Sequence, residues 1–67
     1  MIVNGENFDF SLLKEKHTLE ALIEVRGLSP LRVAIELNGE IIARSEYKNT
    51  PVHEGDAIEI IHYVGGG

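Results

Sequence analysis

Hydrophobic and polar residues alternate in several short runs, and two Asn-Gly pairs separate these runs. Asn4-Gly5 and Asn38-Gly39 each stand between β-branched or aromatic residues, which is the pattern of a two-residue hairpin turn. The pattern therefore predicts two hairpins, with strands at about residues 1–4 and 6–10 and at about residues 31–37 and 40–43.

A single helix is predicted between the hairpins. Three apolar residues fall at positions i, i+3 and i+4 and form one stripe: Leu19, Leu22 and Ile23. Thr18 can cap the start of the helix with its hydroxyl, and Gly27 can end it in a left-handed conformation. We therefore expect a helix at about residues 18–26.

The last predicted strand, at about residues 57–64, is apolar on both faces. Ile58 and Ile60 alternate along it with Ile61 and Tyr63. A strand of this kind lies in the centre of a sheet or keeps its outer face for a partner.

Ile61 and Tyr63, together with Ile2 of a neighbouring strand, form the candidate partner-binding patch. An equally open interpretation is that the connection at residues 44–54 covers these side chains. This connection shows little periodicity beyond one short turn, and we expect Tyr47 to anchor it to the core.

The order of elements is strand, strand, helix, strand, strand, strand. One helix packed on one face of a mixed sheet of four to five strands is an α+β architecture, and this order suggests a ubiquitin-like β-grasp fold. We predict one domain at residues 1–64, followed by a flexible glycine tail at residues 65–67.

Composition narrows the classes of function. The 67 residues carry a net charge of −5 without a cluster of Lys or Arg, which disfavours nucleic acid as a partner. The absence of cysteine excludes disulfides, thiolate metal sites and thiol nucleophiles. No apolar run reaches the ~18–20 residues of a membrane span. We therefore expect a cytoplasmic protein that is monomeric in isolation and has no membrane partner.

The sequence contains no recognisable catalytic constellation. His17, His53 and His62 are far apart and have no second ligand at metal-binding spacing, so we predict no metal site. The serines lack a glycine elbow, and the scattered carboxylates do not suggest a paired acid and base. A core this small also leaves little room for a ~300 Å³ ligand pocket. We therefore predict no catalytic residues, no bound cofactor and no enzymatic activity of the chain alone.

The chemistry that remains lies in the glycine tail. Gly65, Gly66 and Gly67 directly follow the last predicted strand, and three residues reach at most ~10 Å. Because glycine lacks a Cβ, such a tail can lie in a narrow channel and bring the Gly67 carboxylate to an ATP bound by a second protein. An ionised carboxylate can attack phosphorus, and the resulting acyl adenylate can accept sulfur. The alternative is a frayed terminus or linker without function.

Three segments carry a family resemblance: Val33–Arg44 (VAIELNGEIIAR), Gly55–Ile60 (GDAIEI) and Val64–Gly67 (VGGG). They resemble the ThiS family, the sulfur-carrier proteins of thiamin thiazole biosynthesis. The resemblance extends over the whole chain, because the length, the early Asn4-Gly5 turn and the predicted helix also agree with it.

The resemblance implies a β-grasp fold in which the first and last strands are adjacent and parallel. It further implies that a ThiF-like activating enzyme, related to ubiquitin E1 enzymes, uses ATP and magnesium to adenylate Gly67. The adenylate would then become a thiocarboxylate with sulfur drawn from a cysteine desulfurase. A ThiG-like thiazole synthase would consume that sulfur. Gly65 and Gly66 would give the tail access to these partner sites.

Other functions remain open at this point. A sulfur carrier for another pathway, such as the small subunit of molybdopterin synthase, shares the fold and the Gly-Gly end but is usually longer. A ubiquitin-like modifier would form isopeptide bonds with lysines. A β-grasp interaction module with an inert tail would keep its function after Gly66-Gly67 is removed.

Overall fold

The computed structural model describes residues 1–63, which form a five-stranded mixed sheet with one α-helix on one face. The elements in chain order are β1 (Ile2–Val3), β2 (Glu6–Asn7), a 3₁₀ turn (Phe10–Leu13), α1 (Leu19–Val25), a 3₁₀ turn (Pro30–Arg32), β3 (Val33–Leu37), β4 (Glu40–Ile42), a 3₁₀ helix (Arg44–Asn49) and β5 (Ala57–His62). The strand order in the sheet is β2-β1-β5-β3-β4. The predicted α+β architecture is therefore confirmed.

The last strand, β5, is the centre of the sheet. It runs parallel to β1, with Ile2 opposite Ala57 and Val3 opposite Ile58. On its other edge it pairs antiparallel with the whole of β3. The expectation that the first and last strands are parallel neighbours is thus confirmed, and the central position accounts for a strand that is apolar on both faces.

Both Asn-Gly turns are fastened to β5 by their asparagine side chains. Asn4 and Asn38 each have a φ of 51°, a left-handed conformation that asparagine tolerates. Asn4 Oδ1 accepts a hydrogen bond from the Ile60 N–H at 2.6 Å, and Asn38 Oδ1 accepts one from the Ala57 N–H at 2.9 Å. Each turn therefore closes its hairpin and also fixes that hairpin to the central strand.

The helix α1 begins and ends where the sequence predicts. Thr18 Oγ1 accepts a hydrogen bond from the Ala21 N–H at 3.2 Å. Gly27 has a φ of +70°, and the Leu28 N–H donates to the Ile23 carbonyl at 3.0 Å, which is the long bond of a Schellman ending. The predicted cap and stop residues are both confirmed.

The predicted second strand is too long, because a side chain ends it early. β2 stops at Asn7, and Asp9 Oδ1 accepts a hydrogen bond from the Ser11 N–H at 3.0 Å. An aspartate that binds the backbone two residues ahead favours a turn over a strand. The chain consequently turns into the 3₁₀ segment at Phe10–Leu13.

The connection between β4 and β5 packs on the same side of the sheet as α1. Tyr47 is only 4% exposed, and its hydroxyl donates to the Val33 carbonyl at 3.4 Å. Burial raises the pKa of Tyr47 above its ordinary value. Tyr47 therefore anchors the 3₁₀ helix to the core, as predicted. The core itself lies between sheet and helix, and its largest fully buried side chains are Leu19, Leu22, Ile23, Ile35, Ile58, Val3, Val33 and Val52.

Candidate functional site

The outer face of the sheet is the surface that points away from α1. Its members alternate along the strands with the buried core residues, and the strand registers place them side by side. It consists of Ile2 from β1, Asn7 from β2, Ala34 and Glu36 from β3, Ile41 from β4, Ala57, Glu59 and Ile61 from β5, and Tyr63 just after β5.

Large apolar side chains remain exposed on this face. The exposed fraction is 38% for Ile2, 48% for Ile61, 55% for Tyr63 and 79% for Ile41. The connection at residues 44–54 does not cover them, since its 3₁₀ helix contacts α1 on the opposite side. The interpretation in which this connection buries Ile61 and Tyr63 is therefore wrong.

The predicted patch is divided into two areas. Ile2 lies opposite Ala57, four residues before Ile61, which corresponds to a separation of about 13 Å along the strand. At the other end, the Tyr63 N–H donates to the Arg32 carbonyl at 3.0 Å and continues the β3–β5 pairing past the end of β5. Ile61 and Tyr63 thus lie near the start of the predicted tail, whereas Ile2 lies at the far end of the face.

Three outer-face residues were missed by the sequence reasoning. Ile41 is the most exposed large apolar residue of the described chain and lies directly opposite Glu36. On its other side, Glu36 lies directly opposite Glu59 of β5. The pairing of Ile41 with Glu36 could have been predicted from the Asn38-Gly39 turn, because a two-residue turn fixes the hairpin register. No local signal in the sequence predicts the pairing of Glu36 with Glu59.

The predicted modification site and its access residues fall outside the part of the chain that the structure describes. These are Gly67 and the neighbouring Gly65 and Gly66. Val64, which ends the predicted last strand and the predicted domain, also lies outside. The roles assigned to these glycines therefore stay predictions.

A groove lies in the helix layer, on the other side of the molecule from the outer face. It has a volume of about 580 Å³, which is larger than the sequence led us to expect, but it is open to solvent. It lies between the first 3₁₀ turn and α1 and is lined by Leu12, Leu13, Lys14, Glu15, Lys16, Ala21, Glu24 and Val25. None of these residues belongs to the outer face or approaches the tail in sequence.

Other chemistry is sparse in residues 1–63. This part of the chain contains no cluster of three or more His, Asp or Glu side chains placed to hold a metal ion. His17 Nε2 lies 2.6 Å from the Lys14 carbonyl oxygen, and His53 faces Asp56 at 3.6 Å, so both histidines have local partners. No helix within the described range is long and apolar enough to cross a membrane.

Comparison with known proteins identifies the family. The family model described as the ThiS family matches residues 1–67. The chain belongs to the ThiS family. Its fold agrees with that of a solved relative, the thiamine biosynthesis protein ThiS from Geobacter metallireducens, at a TM-score of 0.77 and 29% identity. The alignment covers 98% of this chain and 96% of that one, which confirms the predicted ubiquitin-like β-grasp fold.

Relatives of this ThiS-family chain differ in length. The sulfur carrier protein ThiS of Bacillus subtilis is 35% identical, over 97% of this chain and 96% of that protein. A thiazole synthase of Paramagnetospirillum magneticum is 39% identical over the whole of this chain. This chain spans only 20% of that longer relative, and 15% of a thiazole synthase of Magnetococcus marinus.

Proposed function

We propose that this ThiS-family chain is a sulfur carrier in thiamin biosynthesis and that Gly67 carries the sulfur as a thiocarboxylate. The family match over residues 1–67 carries the proposal. Similarity to the Bacillus subtilis sulfur carrier along nearly the full length of both proteins supports it. In this role the chain is a co-substrate whose reactive group is its own terminal carboxylate.

The proposed chemistry requires a free carboxylate on Gly67. One carboxylate oxygen attacks the α-phosphorus of an ATP held with magnesium by an E1-like activating enzyme, and pyrophosphate leaves. The terminal sulfur of a persulfide formed by a cysteine desulfurase then attacks the acyl carbon and displaces AMP. A second thiol reduces the resulting acyl disulfide and is itself oxidised to a disulfide. The result is a thiocarboxylate. Gly65 and Gly66 contribute by leaving no side chain that would block a narrow partner channel.

A thiazole synthase is the proposed consumer of the sulfur. Segments similar to this chain form part of proteins named thiazole synthase, which supports a thiazole synthase as its partner. We further propose that Ile61 and Tyr63 contact the partner proteins. Both are exposed, and Tyr63 precedes Gly67 by only four residues.

An intact-mass measurement tests the carrier function. The untagged chain is incubated with ATP, magnesium, a sulfur source and the activating enzyme of the same organism. We expect a mass increase equal to the exchange of one oxygen for sulfur. The increase should be absent from a variant that lacks Gly67 but shows the same thermal unfolding. If the mass stays unchanged although the same enzyme preparation modifies another carrier protein, the chain is an interaction module with an inert tail instead.

A further inference from the structure

Two glutamates of the outer face oppose each other directly. Glu36 of β3 and Glu59 of β5 are register partners in an antiparallel pair. Side chains at such positions have Cβ atoms about 4.5–5.5 Å apart, and like charges placed there destabilise the sheet. The strand register therefore places two carboxylates side by side at the middle of the exposed face.

Within residues 1–63 neither Glu36 nor Glu59 forms an ion pair with a Lys or Arg side chain. The contact between the His53 ring and the Asp56 carboxylate lies away from the two glutamates. The neighbours of Glu36 and Glu59 on β3, β4 and β5 are apolar and include the exposed Ile41 and Ile61, whereas Asn4 lies beside Glu59 on the β1 side. Two adjacent carboxylates consequently lie inside a mainly apolar rim.

We propose that Glu36 and Glu59 together bind one arginine side chain of the partner that docks on the outer face. A guanidinium is planar and carries five N–H donors, so it can bridge two carboxylates in a way that the single ammonium group of lysine cannot match. Closure of the apolar rim then excludes water and strengthens the contact. This inference rests on the proposed function, and its occupant is the thiazole synthase proposed there.

The charges on the face favour this occupant over two others. A second copy of the chain, packed outer face to outer face, would bring two carboxylate pairs together in a protein of net charge −5. A divalent cation would find two carboxylates but no third acidic or histidine ligand grouped with them in the described residues. A cationic side chain surrounded by apolar surface would pair with the two carboxylates and cover the apolar residues around them.

The test compares two double variants with equal loss of charge. E36Q/E59Q neutralises the pair with little change in shape. E20Q/E24Q neutralises two exposed glutamates one turn apart on α1, in the opposite layer of the molecule. Calorimetric titration of each into the thiazole synthase of the same organism gives the Kd at low and at physiological salt. We expect E36Q/E59Q to weaken binding at least tenfold at both salt concentrations. E20Q/E24Q should stay within about twofold of the unchanged chain at physiological salt, where distant charges are screened.

Three results would contradict the proposed arginine contact, and each has its own interpretation. Equal affinities of the two double variants would show that the pair binds no cationic group. A difference that disappears in EDTA would assign the pair to a divalent metal ion. If sedimentation shows that the free chain forms a dimer, and that E36Q/E59Q changes this dimerisation, the outer face binds a second copy of the chain. The carrier proposal fails separately, because it depends on the thiocarboxylate mass increase, which none of these binding results measures.

Discussion

The bridge between Asn38 and Asp56 can be tested by the substitution Asn38→Asp. Asn38 Nδ2 donates to Asp56 Oδ1 at 3.0 Å, and Asp56 Oδ2 accepts from the His53 N–H at 2.8 Å. The substitution keeps the side-chain size and the acceptor for the Ala57 N–H, but it replaces the donor to Asp56 with a second carboxylate. The variant should therefore weaken the link between the β3–β4 turn and the start of β5.

The expected loss of stability follows from two contributions. A hydrogen bond to a charged group is worth about 1.5–3 kcal/mol when it is removed. Two carboxylates about 4 Å apart repel by about 1 kcal/mol in water and by more where solvent is partly excluded. Because the exposed Asn38 side chain can rotate away from Asp56, the contributions do not add fully. We expect Asn38→Asp to lower the free energy of unfolding by about 2–3 kcal/mol at pH 7.

The pKa of Asp56 sets the pH dependence of this loss. Partial burial alone would raise the pKa, but hydrogen bonds from Asn38 and the His53 N–H, with the nearby His53 ring, hold it below the ordinary value of 3.8. The stability that Asp56 contributes is therefore complete above its unfolded-state pKa and is lost as the pH falls through the lower folded-state pKa. In Asn38→Asp the paired carboxylates have a raised pKa, so the deficit is largest at neutral pH and shrinks as the pH falls towards about 4.

Asn4→Asp provides the matched control. Asn4 occupies the same turn position with the same φ of 51°, and its Oδ1 accepts from the Ile60 N–H, a role that a carboxylate oxygen retains. Among residues 1–63 its side chain hydrogen-bonds no carboxylate, so we expect a change within about 0.5 kcal/mol. Urea denaturation at pH 7 and pH 4 measures both variants. Equal losses, or a loss in Asn38→Asp that does not depend on pH, would refute the reasoning.

Further predictions concern the core, the tail and the outer face. Ile35→Ala removes a fully buried side chain and should lower the free energy of unfolding by about 2–5 kcal/mol. Ile41→Ala, at a side chain 79% exposed, should lower it by less than about 0.5 kcal/mol. Equal losses in urea denaturation would contradict the assigned core. Gly66→Val should leave thermal unfolding unchanged but block thiocarboxylate formation, and a normal rate in the mass assay would disprove the narrow-channel argument. Ile61→Asp or Tyr63→Asp should weaken binding to the activating enzyme in calorimetry, and unchanged affinity of a folded variant would exclude that area as a docking site.

Local signals in the sequence were sufficient to predict most of the elements. The helix is set by a cap at Thr18, an apolar stripe and a glycine stop at Gly27, all within ten residues of one another. Both hairpins follow from their Asn-Gly turns. The error at the end of β2 also has a local cause, since Asp9 binds the backbone of Ser11 and competes with the strand.

The outer face could not be predicted in the same way, because it depends on pairing between distant strands. Burial of Ile58 and Ile60 requires Glu59 to point outward, and a slip of β5 by one residue would expose both isoleucines. A slip by two residues would keep that alternation and yet separate Glu59 from Glu36. The hydrogen bond from the Ala57 N–H to Asn38 Oδ1 opposes such a slip, because it fixes the start of β5 to the β3–β4 turn. The turn asparagine therefore helps to select the register that brings the two glutamates together, and Asn38→Asp, which keeps this acceptor, should weaken the fold without moving them apart.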